Sequence, residues 1–273
     1  ALPKAPNNYH PFRQRERAIE RRNWVIDRMA EAGFIKTVDA EYPSRHQVAE
    51  LRREHQIAER LRGVRGVIGV YSLETYGNGN VAIVMERFGQ SLADSLKRLG
   101  GDGLPVATFL SLAVELARVL GHIHDREVVH KDVVPRNILL DEASGEVRFI
   151  DFGISSELSR ERQAVTLAKR LEGSLPYISP EQTGRMNRDL DYRSDYYSLG
   201  VTFFELLTGA LPFSAEDPLE WVHAHISQRA PSASEVRPSV PAGVSAIVRK
   251  LMEKSAEDRY QSSFGLIADL EHC

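Results

Sequence analysis

Two carboxylates and one carboxamide set the reading of this chain. Asp132 and Asn137 lie in His130-Lys131-Asp132-Val133-Val134-Pro135-Arg136-Asn137, and Asp151 opens Asp151-Phe152-Gly153. A carboxylate can hold an attacking hydroxyl and take its proton. An amide oxygen and a second carboxylate are hard oxygen donors suited to magnesium. Phosphoryl transfer asks little more of a protein than these groups, correctly held. The apolar runs Ile138-Leu139-Leu140 and Val147-Arg148-Phe149-Ile150 read as strands between the two loops. Ser179-Pro180-Glu181 follows in the same order along the chain. Each short run alone is a weak signal; the ordered set is a strong one.

The elements that must position these groups divide at about residue 88. Residues 1–12, with three prolines and two asparagines, read as an irregular arm. Residues 13–28 carry six arginines against Glu16, Glu20 and Asp27. A short strand is expected over 33–38 and a helix over 46–61, where Val48, Leu51, Ile57 and Leu61 fall at helical spacing. Residues 67–75 and 81–85 read as strands around Gly77-Asn78-Gly79-Asn80. This first, mainly β part closes near Glu86-Arg87-Phe88-Gly89. Helices are expected beyond it over 91–99, 105–124, 194–208, 217–228, 242–254 and 262–270. The last reads as a helix still in progress where the chain stops, as in a domain of a longer protein.

At 273 residues and 42% hydrophobic content, the chain suits one two-lobed domain or two small ones. A net charge of −3 gives no pointer to nucleic acid or an anionic membrane. The single cysteine, Cys273, allows no internal disulfide and suits a reducing compartment. No apolar run is read as approaching the roughly 20 residues of a membrane span, and no signal peptide is read.

From about Phe34 to its end, the chain resembles a eukaryotic-type serine/threonine protein kinase domain. More narrowly, it is similar to the N-terminal kinase domain of bacterial hybrid sensor proteins, which carry an ATPase-like region and a histidine kinase further along. Residues 179–188 (SPEQTGRMNR), 190–200 (LDYRSDYYSLG) and 256–262 (AEDRYQS) carry that narrower likeness. The resemblance implies an α+β fold. Residues 1–88 would form a small, mainly β lobe with one long helix, and 89–273 a larger helical lobe. It implies ATP and Mg2+, a protein substrate, a cytoplasmic setting, and further sensor, ATPase or histidine-kinase regions acting with the domain. Neither nucleic acid nor membrane insertion is expected.

Carried over by position, Asp132 would orient the acceptor hydroxyl, and Asn137 and Asp151 would hold the metal. Lys36 would grip the α- and β-phosphates, held by Glu54. Met85 would stand behind the adenine, Glu86 to Phe88 would form the hinge, and Leu139 would form the floor. Ser174 would help bind the acceptor, Asp195 would brace the catalytic loop, and Glu181 and Arg259 would pair to anchor the activation segment.

Four departures bear on activity. No glycine lies between Ala1 and Ala32, where the family has its glycine-rich phosphate loop; Arg13-Gln14-Arg15-Glu16-Arg17 stands there, and 16–29 could be helical. Phe34 lies two residues before Lys36, so strand alternation sends both to the same side, and it would crowd the adenine. Val134 replaces the lysine that neutralises the transferring phosphate, and Arg136 is expected to compensate. Lys131 replaces the usual arginine, and Arg170 stands where an activating threonine is expected, leaving Thr166 as the nearest candidate.

His122 with His124, and His223 with His225, are two apart on helices and share no face, so no metal site is expected. Trp221 is expected in packing. Three functions fit these residues. The first is an active serine/threonine kinase. The second is a pseudokinase or weak kinase serving as a regulatory module, suggested by the missing glycines and Phe34. The third is a small-molecule phosphotransferase of the aminoglycoside or choline type, which would lack the Ser179-Pro180-Glu181 segment and the Asp195 helix.

Overall fold

A computed structural model describes residues 34–37, 43–76, 79–157, 174–185 and 189–273, with the side chain of Phe34 excepted. The expectations for residues 1–33, for the Phe34 side chain, for Thr166 and for Arg170 lie outside the described residues. The described chain forms two compact units. The first runs to Gly63 and resumes over Ile68–Phe88; the second comprises Val64–Val67 and Gly89–Cys273.

In the first unit, β1 (Phe34–Thr37), β2 (Val70–Tyr76) and β3 (Asn80–Met85) form an antiparallel sheet in the order β1-β3-β2. Its one described helix, α1 (Arg45–Arg60), packs against β2 and β3. Ser44 starts that helix through a capping box with Gln47, an arrangement worth about 1 kcal/mol. Leu51 from α1 meets Val81 and Ile83 from β3, with Val48, Val70, Leu73 and Met85 around them. The expected strand over 67–75 starts late. Val67 instead makes an isolated parallel bridge to Phe149 in the second unit's own fold, and Phe149 N–H donates to Gly66 O at 2.8 Å.

The second unit is built on helices. β4 (Gln90–Ser91) leads into α2 (Leu92–Arg98), capped by Ser91, and then α3 (Val106–His124). Pro105 is the N-cap of α3 and not part of its first turn. α3 corrects the expectation about apolar runs, because its 19 residues are long and apolar enough to cross a membrane. Its apolar side, including Phe109, Leu116, Leu120 and Ile123, is buried inside this unit. That makes it a core helix by packing.

Three short ladders follow. β5 (Val128–Val129) pairs with β8 (Ser156–Glu157), and β6 (Ile138–Leu140) lies between β4 and β7 (Val147–Phe149). α4 (Arg193–Thr208) is buried almost all round, and Phe203 meets Phe109 of α3 edge-on at 5.2 Å. α4 ends at Gly209, whose φ of 73° and contact with the Gly101 carbonyl leave no room for a Cβ. α5 (Pro218–Ser227) is capped by Asp217, as expected. α6 (Ala233–Val236), capped by Ser232, was not foreseen. α7 (Ala242–Leu251) stops three residues earlier than expected, and α8 (Ser263–Glu271) packs on α3.

Candidate active site

Asp132 sits between β5 and a 3-10 turn, Pro135–Asn137, that fixes Asn137 against it. Asn137 Nδ2 donates to the Asp132 carbonyl at 3.0 Å and to its Oδ2 at 2.8 Å. Spending both amide protons this way leaves the Asn137 oxygen as its metal-binding group. Ile150 N–H donates to the Asn137 carbonyl at 3.0 Å, which brings the start of the Asp151 loop beside the catalytic run. Asp151 has φ 65°, and its Oδ1 accepts from Gly153 N–H at 3.3 Å.

The loop around Asp132 is held by its backbone. Asp195, fully buried on α4, accepts from His130 N–H at 2.8 Å and Lys131 N–H at 2.7 Å. Ser155 Oγ donates to the His130 carbonyl, Gln182 Nε2 to the Lys131 carbonyl, and Thr202 Oγ1 to the Val133 carbonyl. This clamp sustains Lys131 at φ 69°, a left-handed conformation costing about 1–2 kcal/mol without such support. The His130 ring packs on Phe149 and Phe152, and its Nε2 meets the Ile150 carbonyl at 3.1 Å.

His124 has an acidic partner far along the chain: its Nε2 lies 2.8 Å from Asp195 Oδ2. The two are 71 residues apart, so no local spacing could reveal the pair.

Ser174 closes over Asp132. Its N–H and Oγ donate to Asp132 Oδ1 at 2.9 and 2.7 Å. Arg136 Nη2 reaches Asp132 Oδ2 at 3.3 Å and Ser174 Oγ at 2.6 Å. The guanidinium therefore lies beside the carboxylate, while Val134 is buried. Lys97, Val134, Arg136, Ser174, Tyr177 and Glu205 line an open cavity of about 670 Å³ next to them. Tyr177 donates to Glu205. Burial first, and then the Glu205 carboxylate, push the Tyr177 hydroxyl far up; burial likewise raises the Glu205 carboxyl. Neither residue was singled out from the sequence, because the bond joins a turn to the last turn of α4, 28 residues on.

Behind the segment, Glu181 meets Arg259 in a two-pronged pair at 2.7 and 2.9 Å. Ser194 Oγ adds a 2.6 Å bond to the same carboxylate. Burial works to raise the Glu181 carboxyl, yet the Arg259 and Ser194 bonds outweigh it and hold the carboxyl below its ordinary value.

The first unit holds the remaining candidates. Lys36 Nζ donates to Glu54 Oε1 at 2.8 Å, with Glu54 buried on the sheet side of α1 and Lys36 one-third exposed. Lys36 stands opposite Ile83 and Phe34 opposite Met85 in the β1–β3 register. Met85 ends β3 against the small core. Glu86 is pinned twice to Gly69, by its own N–H at 2.7 Å and through Gly69 N–H to its Oε2 at 2.8 Å. Phe88 is half-buried after it, and Leu139 is buried on β6 in the second unit.

The donor chemistry of Asn137 and Asp151 suits magnesium. It prefers oxygen ligands and takes one or two carboxylates, with the rest from water and phosphate. Among the described residues, no three His, Cys, Asp or Glu side chains converge to make a full cage.

The protein kinase domain family matches residues 27–266. A probable serine/threonine-protein kinase of Clostridium perfringens is 29% identical, covering 87% of this chain and 34% of the relative. Serine/threonine-protein kinase PrkC of Bacillus subtilis is 30% identical over 87% of this chain and 36% of its own length. Hybrid signal transduction histidine kinase G of Dictyostelium discoideum is 30% identical over 62% of this chain and 7% of that protein. The chain thus spans about a third of the length of the bacterial relatives it matches. With its residues matched almost from end to end, the chain belongs to the protein kinase domain family.

Proposed function

We propose that this domain transfers the γ-phosphate of Mg-ATP to a serine or threonine hydroxyl of a protein substrate in bacterial signalling. The observation that carries the reading is the geometry at Asp132. Its carboxylate is locked by Asn137, Arg136 and Ser174 on a loop braced by Asp195. An acceptor hydroxyl would replace Ser174 as the donor to an Asp132 oxygen. Asp132 would orient that hydroxyl and take its proton as the bond to phosphorus forms. Arg136 would lie beside the phosphoryl oxygens and stabilise charge as the leaving oxygen departs. Asn137 and Asp151 would hold magnesium, which when bound neutralises phosphate charge. Lys36, oriented by Glu54, would position the α- and β-phosphates. Met85, Glu86, Phe88 and Leu139 would surround the adenine.

The likeness to a hybrid histidine kinase supports a domain acting with further sensor or histidine-kinase regions. The test is Asp132→Asn. Phosphate transfer to a mixed peptide library should vanish, while Mg-ATP affinity by calorimetry and the circular dichroism stay near those of the parent. Transfer that persists in the purified variant would overturn the assignment. A parent that binds Mg-ATP but phosphorylates no peptide would point to a regulatory, non-catalytic module.

A further inference from the structure

Beneath the Leu175–Tyr177 turn that follows Ser174 lies a buried group of three polar side chains that the catalytic reading does not use. His225, fully buried on α5, has its Nδ1 at 3.0 Å from the Tyr197 hydroxyl. Lys254 Nζ donates to that hydroxyl at 3.2 Å, to the Ala224 carbonyl at 3.3 Å and to the His225 carbonyl at 2.8 Å. The Trp221 ring stacks on His225, and the Phe213 ring meets it edge-on. Its Nε2 is enclosed and has no partner of full hydrogen-bond geometry. The helix that carries it, α5, packs against the Leu175–Tyr177 turn.

The proton count then fixes the tautomer. An ammonium has three protons and no acceptor, and Lys254 spends its three on three oxygens. The Tyr197 oxygen must therefore accept from Lys254. A buried hydroxyl proton needs a partner, and the partner in place is His225 Nδ1. With Nδ1 accepting, the neutral ring carries its proton on Nε2, the nitrogen away from Tyr197. The opposite tautomer would leave the tyrosine proton unused.

We propose that His225 is a positioning residue for the acceptor-binding turn, its Nε2–H set by Lys254 through Tyr197 and directed at the backbone just after Ser174. The kinetic part of this proposal rests on the protein kinase reading; the tautomer does not. It predicts that losing the Nε2–H loosens the acceptor while the nucleotide site, built on other residues, is spared.

The experiment pairs a spectrum with kinetics. Long-range nitrogen–proton NMR of the parent at pH 7 should show one histidine, assigned by its loss in His225→Gln, as the Nε2–H tautomer. In Tyr197→Phe the same ring should shift toward the Nδ1–H form. His225→Phe should raise the KM for an acceptor peptide about tenfold with the KM for ATP changed less than about twofold. His225→Gln, whose amide can reach the Nε2 position, should recover part of that loss, and His225→Asn should not. A parent in the Nδ1–H or charged form overturns the proposal. So does a folded His225→Phe whose peptide KM is unchanged, or whose two KM values rise together. If His225→Phe does not fold, the parent and Tyr197→Phe spectra decide. A parent with the expected tautomer but no transfer to any peptide overturns the kinase reading and leaves the relay standing.

Discussion

Arg259→Met should cost the second unit about 3–5 kcal/mol, the range for removing one partner of a buried ion pair. Arg259 is fully buried and spends all five guanidinium protons. Two go to Glu181, and one each to the carbonyls of Arg193, Glu253 and Lys254. Its loss leaves a carboxylate that is 6% exposed, with Ser194 as its remaining side-chain donor. With a urea slope of about 3 kcal/mol/M for a chain of this size, the unfolding midpoint should fall by roughly 1–2 M.

Glu181→Leu should cost a similar amount by stranding the cation. The double variant should lose less than the sum of the two. What remains should be near 3 kcal/mol, from three carbonyls without a donor at about 1 kcal/mol each. The pair also carries a pH signature. The Glu181 carboxyl is held below its ordinary 4.5, so the folded state releases the proton more readily than the unfolded chain. Its contribution is whole above that value and fades as the pH falls through the lowered one. The stability gap between parent and Glu181→Gln should narrow in acid. Strictly additive single variants, or a gap that widens in acid, would refute the argument that Arg259 holds Glu181 charged.

Arg136→Ala should lower turnover about 10²–10³-fold with little change in Mg-ATP affinity; Val134→Lys in that background should recover part, since Val134 lines the same cavity. Lys36→Met and Glu54→Gln should weaken Mg-ATP binding in calorimetry and cut turnover without shifting the second unit's unfolding, because that ion pair lies within the first unit. His124→Phe should slow transfer and destabilise the second unit by about 1–3 kcal/mol, by removing the side-chain partner of the Asp195 carboxylate. Burial, reinforced by Lys254, depresses the His225 imidazole to about 4 from its ordinary 6.5. The neutral ring therefore supports the fold fully above pH 6.5, and that support, roughly 3 kcal/mol at most, drains away between pH 6.5 and 4. Urea titrations at a series of pH values should show this loss in the parent and not in His225→Phe.

Much of the site is written locally in the chain. Asp132 and Asn137, five positions apart, meet because a 3-10 turn over Pro135–Asn137 bends the chain back, and Pro135 at its start favours that turn. Lys36 and Glu54 meet because a strand and a capped helix of suitable length separate them. Helix ends marked by Asp217 and Gly209 were legible for the same reason: a cap acts within one turn of its own residue. Other features depend on residues far apart. Whether α3 is a core helix or a membrane span is the same string of apolar residues until its burial is known. Val67 reads as the start of a strand, yet pairs with Phe149, because ladder partners are chosen by what else is already packed there. The pairs His124–Asp195 and Tyr177–Glu205, and the trio Tyr197, His225 and Lys254, join positions 28 to 71 residues apart. Residue type permits such bonds, but only the folded chain pays the entropy of bringing the partners together, and so only the tertiary structure decides which of them form.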